Sequence, residues 1–249
     1  LFAVNLSAWN EVEEFIRSGQ EAYQALKYCS VPVVGASAGL CLGGGAEVLL
    51  HCDSIQAHSE SYIGLVEVGV GIIPAWGGCK EMLARIRDFN LAPGGPMGPI
   101  MKAFEIIGTA QVAKSAEQAR SMGFLGPDDS ISMNRDRLLA DSKMKALTMS
   151  HGYTPPKPYT FNLPGKTARI ALEMAVSDLA KSGSATPHDV IVTSELAKVL
   201  SGGAVDLTDS TDEEEILTLE RESIGRLGRQ EDTIQRMEHM LQTGKPLRN

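Results

Sequence analysis

The segment from Val31 to Gly78, VPVVGASAGLCLGGGAEVLLHCDSIQAHSESYIGLVEVGVGIIPAWGG, decides the fold of this chain. Short apolar stretches at residues 33–36 and 54–58 predict buried strands, and the mostly apolar residues 43–52 predict a helix between them. A third, short strand is predicted at residues 62–64. The order of strand, glycine turn, helix and strand is typical of a parallel α/β arrangement.

A glutamate follows the glycine triplet inside the predicted helix. Glycines that open a helix expose backbone N–H groups, which can stabilise a developing negative charge. Glu47 lies just before an apolar run, where a charged side chain is costly unless it functions or is paired. The helix N-terminus favours the ionised carboxyl, which suits a general base. The triplet alone could equally serve close helix packing; Glu47 shifts the balance towards chemistry.

A second glutamate, Glu67, follows in a setting rich in aliphatic residues. Its neighbours include Leu65, Val66 and Val68. Such surroundings disfavour the charged form, so we expect a raised pKa and a carboxyl able to deliver a proton. An exposed charge at a strand end is the alternative. Two carboxyls whose pKa values are pushed apart form an acid–base pair.

Two nucleotide-binding interpretations of the glycines are rejected. Residues 39–47 carry an acid where a phosphate-binding loop carries lysine and a hydroxyl, and a carboxylate would repel phosphate. Residues 69–74 have Pro74 at the third glycine position of the dinucleotide fingerprint and lack its strand–helix context.

The order and spacing of these motifs resemble the crotonase superfamily, the enoyl-CoA hydratases and isomerases. Members share a Pro-Val-[VI]-x-Ala-x-x-Gly-x-x-x-Gly-Gly-Gly-x-Glu segment, followed by a second glutamate before a Gly-x-x-Pro-x-x-Gly-Gly turn. Here the first motif runs from Pro32 to Glu47, and the second follows Glu67 and ends at Gly78. Asp53 also matches its usual position in the family. The match is strong over the first half of the chain.

The resemblance implies a crotonase-like α/β fold, a spiral of short strands and helices (the ClpP/crotonase class) with a helical C-terminal region. It implies an enoyl-CoA hydratase that adds water to a 2-enoyl-CoA in fatty-acid beta-oxidation. Glu47 would activate the water and Glu67 would protonate the α-carbon, while the Gly44 N–H would stabilise the thioester oxygen. Predicted substrate-binding residues are Leu42, Gly43, Pro74, Ala75 and Trp76.

Two features leave two alternative functions open. Ala75 and Trp76 replace the family's usual small residues after the proline, which puts the shape of the acyl pocket in question. By the resemblance, the second amide of the oxyanion hole would come from a segment just before Leu1. An isomerase or another crotonase-type acyl-CoA enzyme remains a rival. A non-catalytic structural module of a multifunctional dehydrogenase chain is a second.

The remainder of the chain is mostly helical in pattern. Helices are predicted at residues 10–28, 80–87, 100–107, 115–122 and 134–151, an exposed loop at 91–99 and a linker at 153–159. Thr186 is a predicted N-cap, and capping boxes are predicted from Ser210 and Thr211. We expect a crotonase-like core over residues 1–150 that lacks its first strands, and a helical region over 151–249. The C-terminal end resembles a bacterial bifunctional 3-hydroxyacyl-CoA dehydrogenase whose hydratase module comes last. Because the chain starts at Leu1 without an initiator methionine, we expect a fragment.

Composition limits the partners. A net charge of −8 over 249 residues argues against nucleic acid or an anionic membrane as the main partner. Four cysteines without metal-ligand spacing indicate reduced thiols in a cytoplasmic protein. We expect no metal and no cofactor beyond the coenzyme A of the acyl-CoA substrate. A homo-oligomer is expected, with a dehydrogenase module on the same full-length chain as a further partner.

Overall fold

A parallel sheet carries the glycine-rich segment. In the computed structural model, which describes Val4 and residues 7–249, strand β1 spans Val34–Leu42, β2 spans Ser54–Gly64 and β3 spans Ser130–Ser132. The strands lie in the order β1-β2-β3, and both pairings are parallel. The predicted parallel α/β arrangement is confirmed.

Both long strands continue beyond their predicted ends. The register between β1 and β2 shifts at Ser37/Gly39, and pairing then resumes as far as Leu42 and Gly64. The predicted separate strand at residues 62–64 is therefore wrong, because those residues are the end of β2. Polar residues 58–61 break the apolar pattern, whereas the backbone ladder tolerates them through the irregularity.

Helices surround this sheet. They are α1 (Trp9–Lys27), α2 (Gly44–Leu50), α3 (Gly78–Asp88), α4 (Met97–Gly108), α5 (Ala116–Ser121), α6 (Leu138–Met149), α7 (Gly165–Lys181), α8 (Pro187–Leu200), α9 (Glu213–Leu227) and α10 (Glu231–Thr243). Short 3₁₀ turns lie at Glu67–Val70 and Arg135–Arg137, and β4 (Thr160–Phe161) pairs antiparallel with β5 (Thr211–Asp212). No helix in the described part of the chain is long and apolar enough to cross a membrane.

The predicted helices of the first half are confirmed to within a few residues. The predicted loop at 91–99 is wrong at its end, since α4 already begins at Met97. Pro99 is no obstacle there, because the first-turn N–H groups have no partner within the helix. Thr186 caps α8 as predicted, with Asp189 completing the box. The other capping box starts at Asp212, not at Ser210 or Thr211.

The C-terminal region is helical, as predicted, apart from the short β4–β5 pair. One hydrophobic cluster joins the two halves of the chain: it holds Ile55 and Ile63 of the sheet together with Leu196 and Ile216 of the late helices. The division at residue 150 stays a prediction. This packing places α9 against the N-terminus of α3, which is part of the site.

Candidate active site

The glycine triplet forms a sharp turn between β1 and α2. Leu42 ends the strand, and Gly43 has a φ of 58°, a backbone conformation that favours glycine. The Gly43 N–H donates to the Gly64 carbonyl at 2.9 Å, which fixes the turn to the end of β2. Gly44 is the first residue of α2, and its N–H donates to no acceptor among the described residues. Such a helix N-terminus is suited to hold a developing oxyanion.

Glu47 is buried in the first turn of α2, with 3% of its surface exposed. Its Oε1 accepts hydrogen bonds from the backbone N–H groups of Trp76 and Gly78, each at 2.9 Å. Burial raises the pKa of this carboxyl to about 7, and the two hydrogen bonds act in the opposite direction. The N–H groups that favour its ionised form thus come from the start of α3 and the residues just before it. Their effect on the pKa is smaller than the effect of burial. A carboxyl that titrates near neutral pH suits a general base.

Glu67 opens the 3₁₀ turn that follows β2. Both of its carboxyl oxygens are buried, without a hydrogen-bond partner in the part of the chain that the structure describes. A Cβ built on Gly43 would lie 3.5 Å from Glu67 Oε1, so this carboxyl lies directly against the glycine turn. Burial, followed by the charge of Glu47, raises its pKa well above the usual value. The raised pKa agrees with the sequence-based expectation.

The pKa of both carboxyls is raised, that of Glu47 to about 7 and that of Glu67 well above its usual value. Glu47 is therefore close to its midpoint at neutral pH and can accept a proton, and the raised pKa of Glu67 favours the protonated form, which can donate one. Environments that push two pKa values apart create an acid and a base on one site.

The predicted substrate-binding residues Pro74, Ala75 and Trp76 form the turn before α3. Ala75 is buried, and its carbonyl accepts a hydrogen bond from Gln20 Nε2 at 2.8 Å, which ties the turn to α1. The indole of Trp76 packs edge-on against Phe15, with ring centroids 5.5 Å apart. The structure thus brings this turn, Glu47 and the glycine turn together.

Sequence reasoning missed a third buried carboxyl, Glu220 of α9. It accepts hydrogen bonds from the N–H groups of Gly77 at 2.8 Å and Lys80 at 3.1 Å. Glu47 and Glu220 therefore share the N-terminus of α3 between them. Burial and then the charge of Glu47 raise the pKa of Glu220 to about 8. The sequence did carry one indication of this buried carboxyl: Glu220 follows Ile216 by four residues and so lies on the apolar face of α9.

A second missed residue is Tyr23 of α1. Its hydroxyl donates to the Gly44 carbonyl at 3.1 Å. Burial raises the pKa of this phenol, and the charges of Glu47 and Glu67 add to the effect. Tyr23 therefore holds the first turn of α2 close to both carboxyls.

A buried ion cluster lies behind the site. Glu81 of α3 contacts Lys27 and Lys80, each at 2.6 Å, and Lys27 also contacts Glu213 at 3.1 Å. Lys80 also lies 3.5 Å from Glu213, so each charge of the cluster has an opposite charge nearby. His51 links the cluster to the proposed base, because its Nδ1 lies 2.8 Å from the Glu47 carbonyl oxygen. Burial lowers the pKa of His51 to about 4, so this ring is neutral at pH 7. The cluster fixes α1, α3 and α9 around the site.

Asp53, which matched the family motif, has a structural role in this geometry. It accepts hydrogen bonds from the Val33 N–H and from the Tyr153 hydroxyl, both at 2.7 Å. These bonds fix the connection into β2. The segment predicted to supply the second amide of the oxyanion hole falls outside the described residues.

Comparison with known proteins gives a consistent result. Residues 5–93 match the family model of the enoyl-CoA hydratases/isomerases. The chain is 42% identical over 241 residues to a probable 3-hydroxyacyl-CoA dehydrogenase of Bacillus subtilis (strain 168), covering 96% of this chain and 30% of that protein. It is 40% identical over 81 residues to a crotonyl-CoA hydratase of Syntrophomonas wolfei, covering 32% of this chain and 31% of that protein. The chain thus spans less than a third of the length of these curated relatives.

Solved structures show the fold. An enoyl-CoA hydratase from Mycobacterium avium subsp. paratuberculosis K-10 superimposes with a TM-score of 0.56 at 16% identity, covering 96% of this chain and 73% of that one. An enoyl-CoA hydratase from Bacillus halodurans gives a TM-score of 0.52 at 17% identity, covering 90% and 66%. This confirms the crotonase-like fold predicted from the sequence. Residues 5–93 thus match the enoyl-CoA hydratase/isomerase family, and the described chain has the fold of solved enoyl-CoA hydratases.

Proposed function

We propose that this chain adds water to the double bond of a 2-enoyl-CoA thioester and yields the 3-hydroxyacyl-CoA. The observation that carries the proposal is the pair of buried carboxyls, Glu47 and Glu67, beside one glycine turn, each with a pKa raised by burial. A reaction that removes one proton from water and delivers another to carbon needs such a pair.

Each group has one step. Glu47 accepts a proton from water as the water oxygen bonds to the β-carbon, and the electrons of the double bond move onto the thioester oxygen. The Gly44 N–H stabilises that oxygen as charge develops. Glu67 then donates its proton to the α-carbon, and the thioester carbonyl reforms. The proton gained by Glu47 equals the proton lost by Glu67, and proton exchange with solvent after product release returns both carboxyls to their starting forms.

The proposed substrate class follows from the family and from named relatives. The crotonyl-CoA hydratase above and a short-chain-enoyl-CoA hydratase of Clostridium acetobutylicum, 33% identical over 102 residues, are named for this chemistry. Coenzyme A enters as part of the substrate, and the proposed steps use protein groups and water alone. The two carboxyls favour hydration over isomerisation, for which, by the family resemblance, one is typically enough.

The wider context is also a proposal. Relatives named as a probable 3-hydroxyacyl-CoA dehydrogenase and as a putative fatty acid oxidation complex trifunctional enzyme support a dehydrogenase module on the same full-length polypeptide, acting in beta-oxidation. A homo-oligomer and a cytoplasmic location remain part of this proposal.

The test is turnover of crotonyl-CoA, followed by the loss of enoyl absorbance, with Glu47→Gln and Glu67→Gln alongside wild type. Each variant removes one proton-transfer group but keeps its shape, so we expect each to lose about 10²- to 10⁴-fold in kcat. Glu60→Gln, an exposed glutamate of β2, is the matched control. Wild-type protein that binds the thioester without turning it over would favour the non-catalytic module instead.

A further inference from the structure

The indole of Trp76 is seated in a notch of α1. A Cβ built on Gly19 would overlap the indole at Nε1, so only glycine leaves room for the ring at that position. Phe15 and Tyr23, one turn away on either side of Gly19, pack edge-on against the ring, each with centroids 5.5 Å apart. Three positions of α1 therefore define where the ring lies.

The opposite edge of the ring covers the glycine turn. A Cβ built on Gly44 would lie 3.2 Å from Trp76 Cζ3 and 3.4 Å from Cε3, which is tighter than ordinary van der Waals contact. There is thus no space for a further side chain between the ring and Gly44. The backbone N–H of the same tryptophan binds the Glu47 carboxyl at 2.9 Å. Trp76 therefore packs its ring over the glycine turn and binds the proposed base through its backbone N–H.

Shape alone fixes the ring. Trp76 Nε1 is buried and has no hydrogen-bond partner within the described ranges, Val4 and residues 7–249. An indole N–H usually finds a partner when it is buried. Because no hydrogen bond anchors it, the position of the ring depends on the notch at Gly19 and should respond to changes there.

We propose that Trp76 is the wall of the acyl site and restricts the reaction to 2-enoyl groups of short chain length. This inference rests on the proposed function. The thioester oxygen has to reach the Gly44 N–H while the β-carbon faces Glu47, and the alkyl tail continues from the β-carbon. The indole lies over Gly44 and the backbone of the same residue binds Glu47, so we place the ring in the space that a longer tail would need.

The experiment compares kcat/KM for crotonyl-CoA and 2-decenoyl-CoA in wild type and Trp76→Ala. We expect wild type to prefer crotonyl-CoA, and the variant to raise the decenoyl-to-crotonyl ratio by at least about tenfold, since even one methylene in an apolar pocket changes kcat/KM by about 10- to 200-fold. Trp76→Phe, which keeps an aromatic ring, should shift the ratio in the same direction by less. It serves as the test should the alanine variant fail to fold.

A second variant tests the notch itself. Gly19→Ala should push the ring towards Gly44 and lower kcat/KM for crotonyl-CoA by about tenfold or more, the effect expected when reacting groups are misplaced. In the Trp76→Ala background the same change should have no further effect, because the clash is gone. Gly225→Ala is the matched control, since a Cβ at this interior glycine of α9 would meet only Arg229 Nη1 at 3.9 Å.

An unchanged chain-length ratio in folded Trp76→Ala or Trp76→Phe would overturn the inference while leaving the hydratase proposal intact. The same holds if Gly19→Ala is equally harmful with and without Trp76. Wild-type protein that hydrates neither thioester would remove the proposed function, and this inference with it.

Discussion

Replacing Glu47 by glutamine should make the protein more stable at alkaline pH while it impairs catalysis. In the folded protein, burial raises the pKa of this carboxyl from 4.5 to about 7. Between these two pH values the folded state holds a proton that the unfolded chain has released. Because the folded state binds more protons, the contribution of Glu47 to stability is fully present below pH 4.5 and is lost as the pH rises through 7.

The magnitude follows from the shift. A difference of about 2.5 pH units, at about 1.4 kcal/mol per unit, corresponds to stabilisation on the order of 3 kcal/mol that wild type loses between about pH 4.5 and pH 8. Glutamine cannot ionise, yet its carbonyl oxygen can still accept the N–H groups of Trp76 and Gly78. Any fixed cost of burying its amide group is the same at both ends of the range and cancels in the comparison.

The assay is urea unfolding at several pH values from 5 to 8, followed by tryptophan fluorescence, with Glu60→Gln as the exposed control. The free energy of unfolding of Glu47→Gln, minus that of wild type, should increase by about 2–3 kcal/mol from pH 5 to pH 8. For the control this difference should stay constant. Parallel pH profiles of Glu47→Gln and wild type would refute the claim that Glu47 is buried with a raised pKa.

Three further changes test other parts of the site. Gly44→Pro should lower kcat for crotonyl-CoA by about 10²-fold or more relative to Gly44→Ala, which adds a Cβ against Trp76 but keeps the proposed oxyanion donor, and circular dichroism should show α2 intact, since proline is tolerated at the first helical position. Glu81→Gln should lower the free energy of unfolding by about 3–5 kcal/mol, because Lys27 and Lys80 lose a buried counter-charge; a change under 1 kcal/mol in urea unfolding would contradict this. Glu220→Leu should cost about 1–3 kcal/mol for each of the two backbone N–H groups it leaves unpaired, whereas Glu220→Gln should keep most of that stability.

The part of the site that was predictable from the sequence is local. Glu47 and Glu67 lie within one strand–helix–strand unit, where the glycine turn and the apolar pattern determine the neighbourhood of each carboxyl. The raised pKa of Glu67 followed from its aliphatic neighbours alone. The pKa of Glu47 did not, because its hydrogen-bond donors lie in a turn about thirty residues later and its burial comes from packed helices.

The parts that were not predictable depend on contacts between distant segments. Glu220 reaches the N-terminus of α3 from a helix 143 residues further along the chain. The need for glycine at position 19 becomes visible only in the structure, where the Trp76 indole packs against it. Within the sheet, the polar residues 58–61 hid the continuation of β2, because strand pairing depends on backbone hydrogen bonds as well as on side-chain pattern.

The most direct test of the acid–base pair is the pH dependence of kcat/KM for crotonyl-CoA in wild type and in Glu47→Gln. The pair predicts that the rate constant of wild type rises as the pH passes through about 7, where Glu47 loses its proton, and falls at higher pH as Glu67 ionises. The rising limb should be absent from the residual activity of Glu47→Gln. A profile that is flat around pH 7 in wild type, or a rising limb that persists in Glu47→Gln at near wild-type rate, would contradict the assignment of Glu47 as the base.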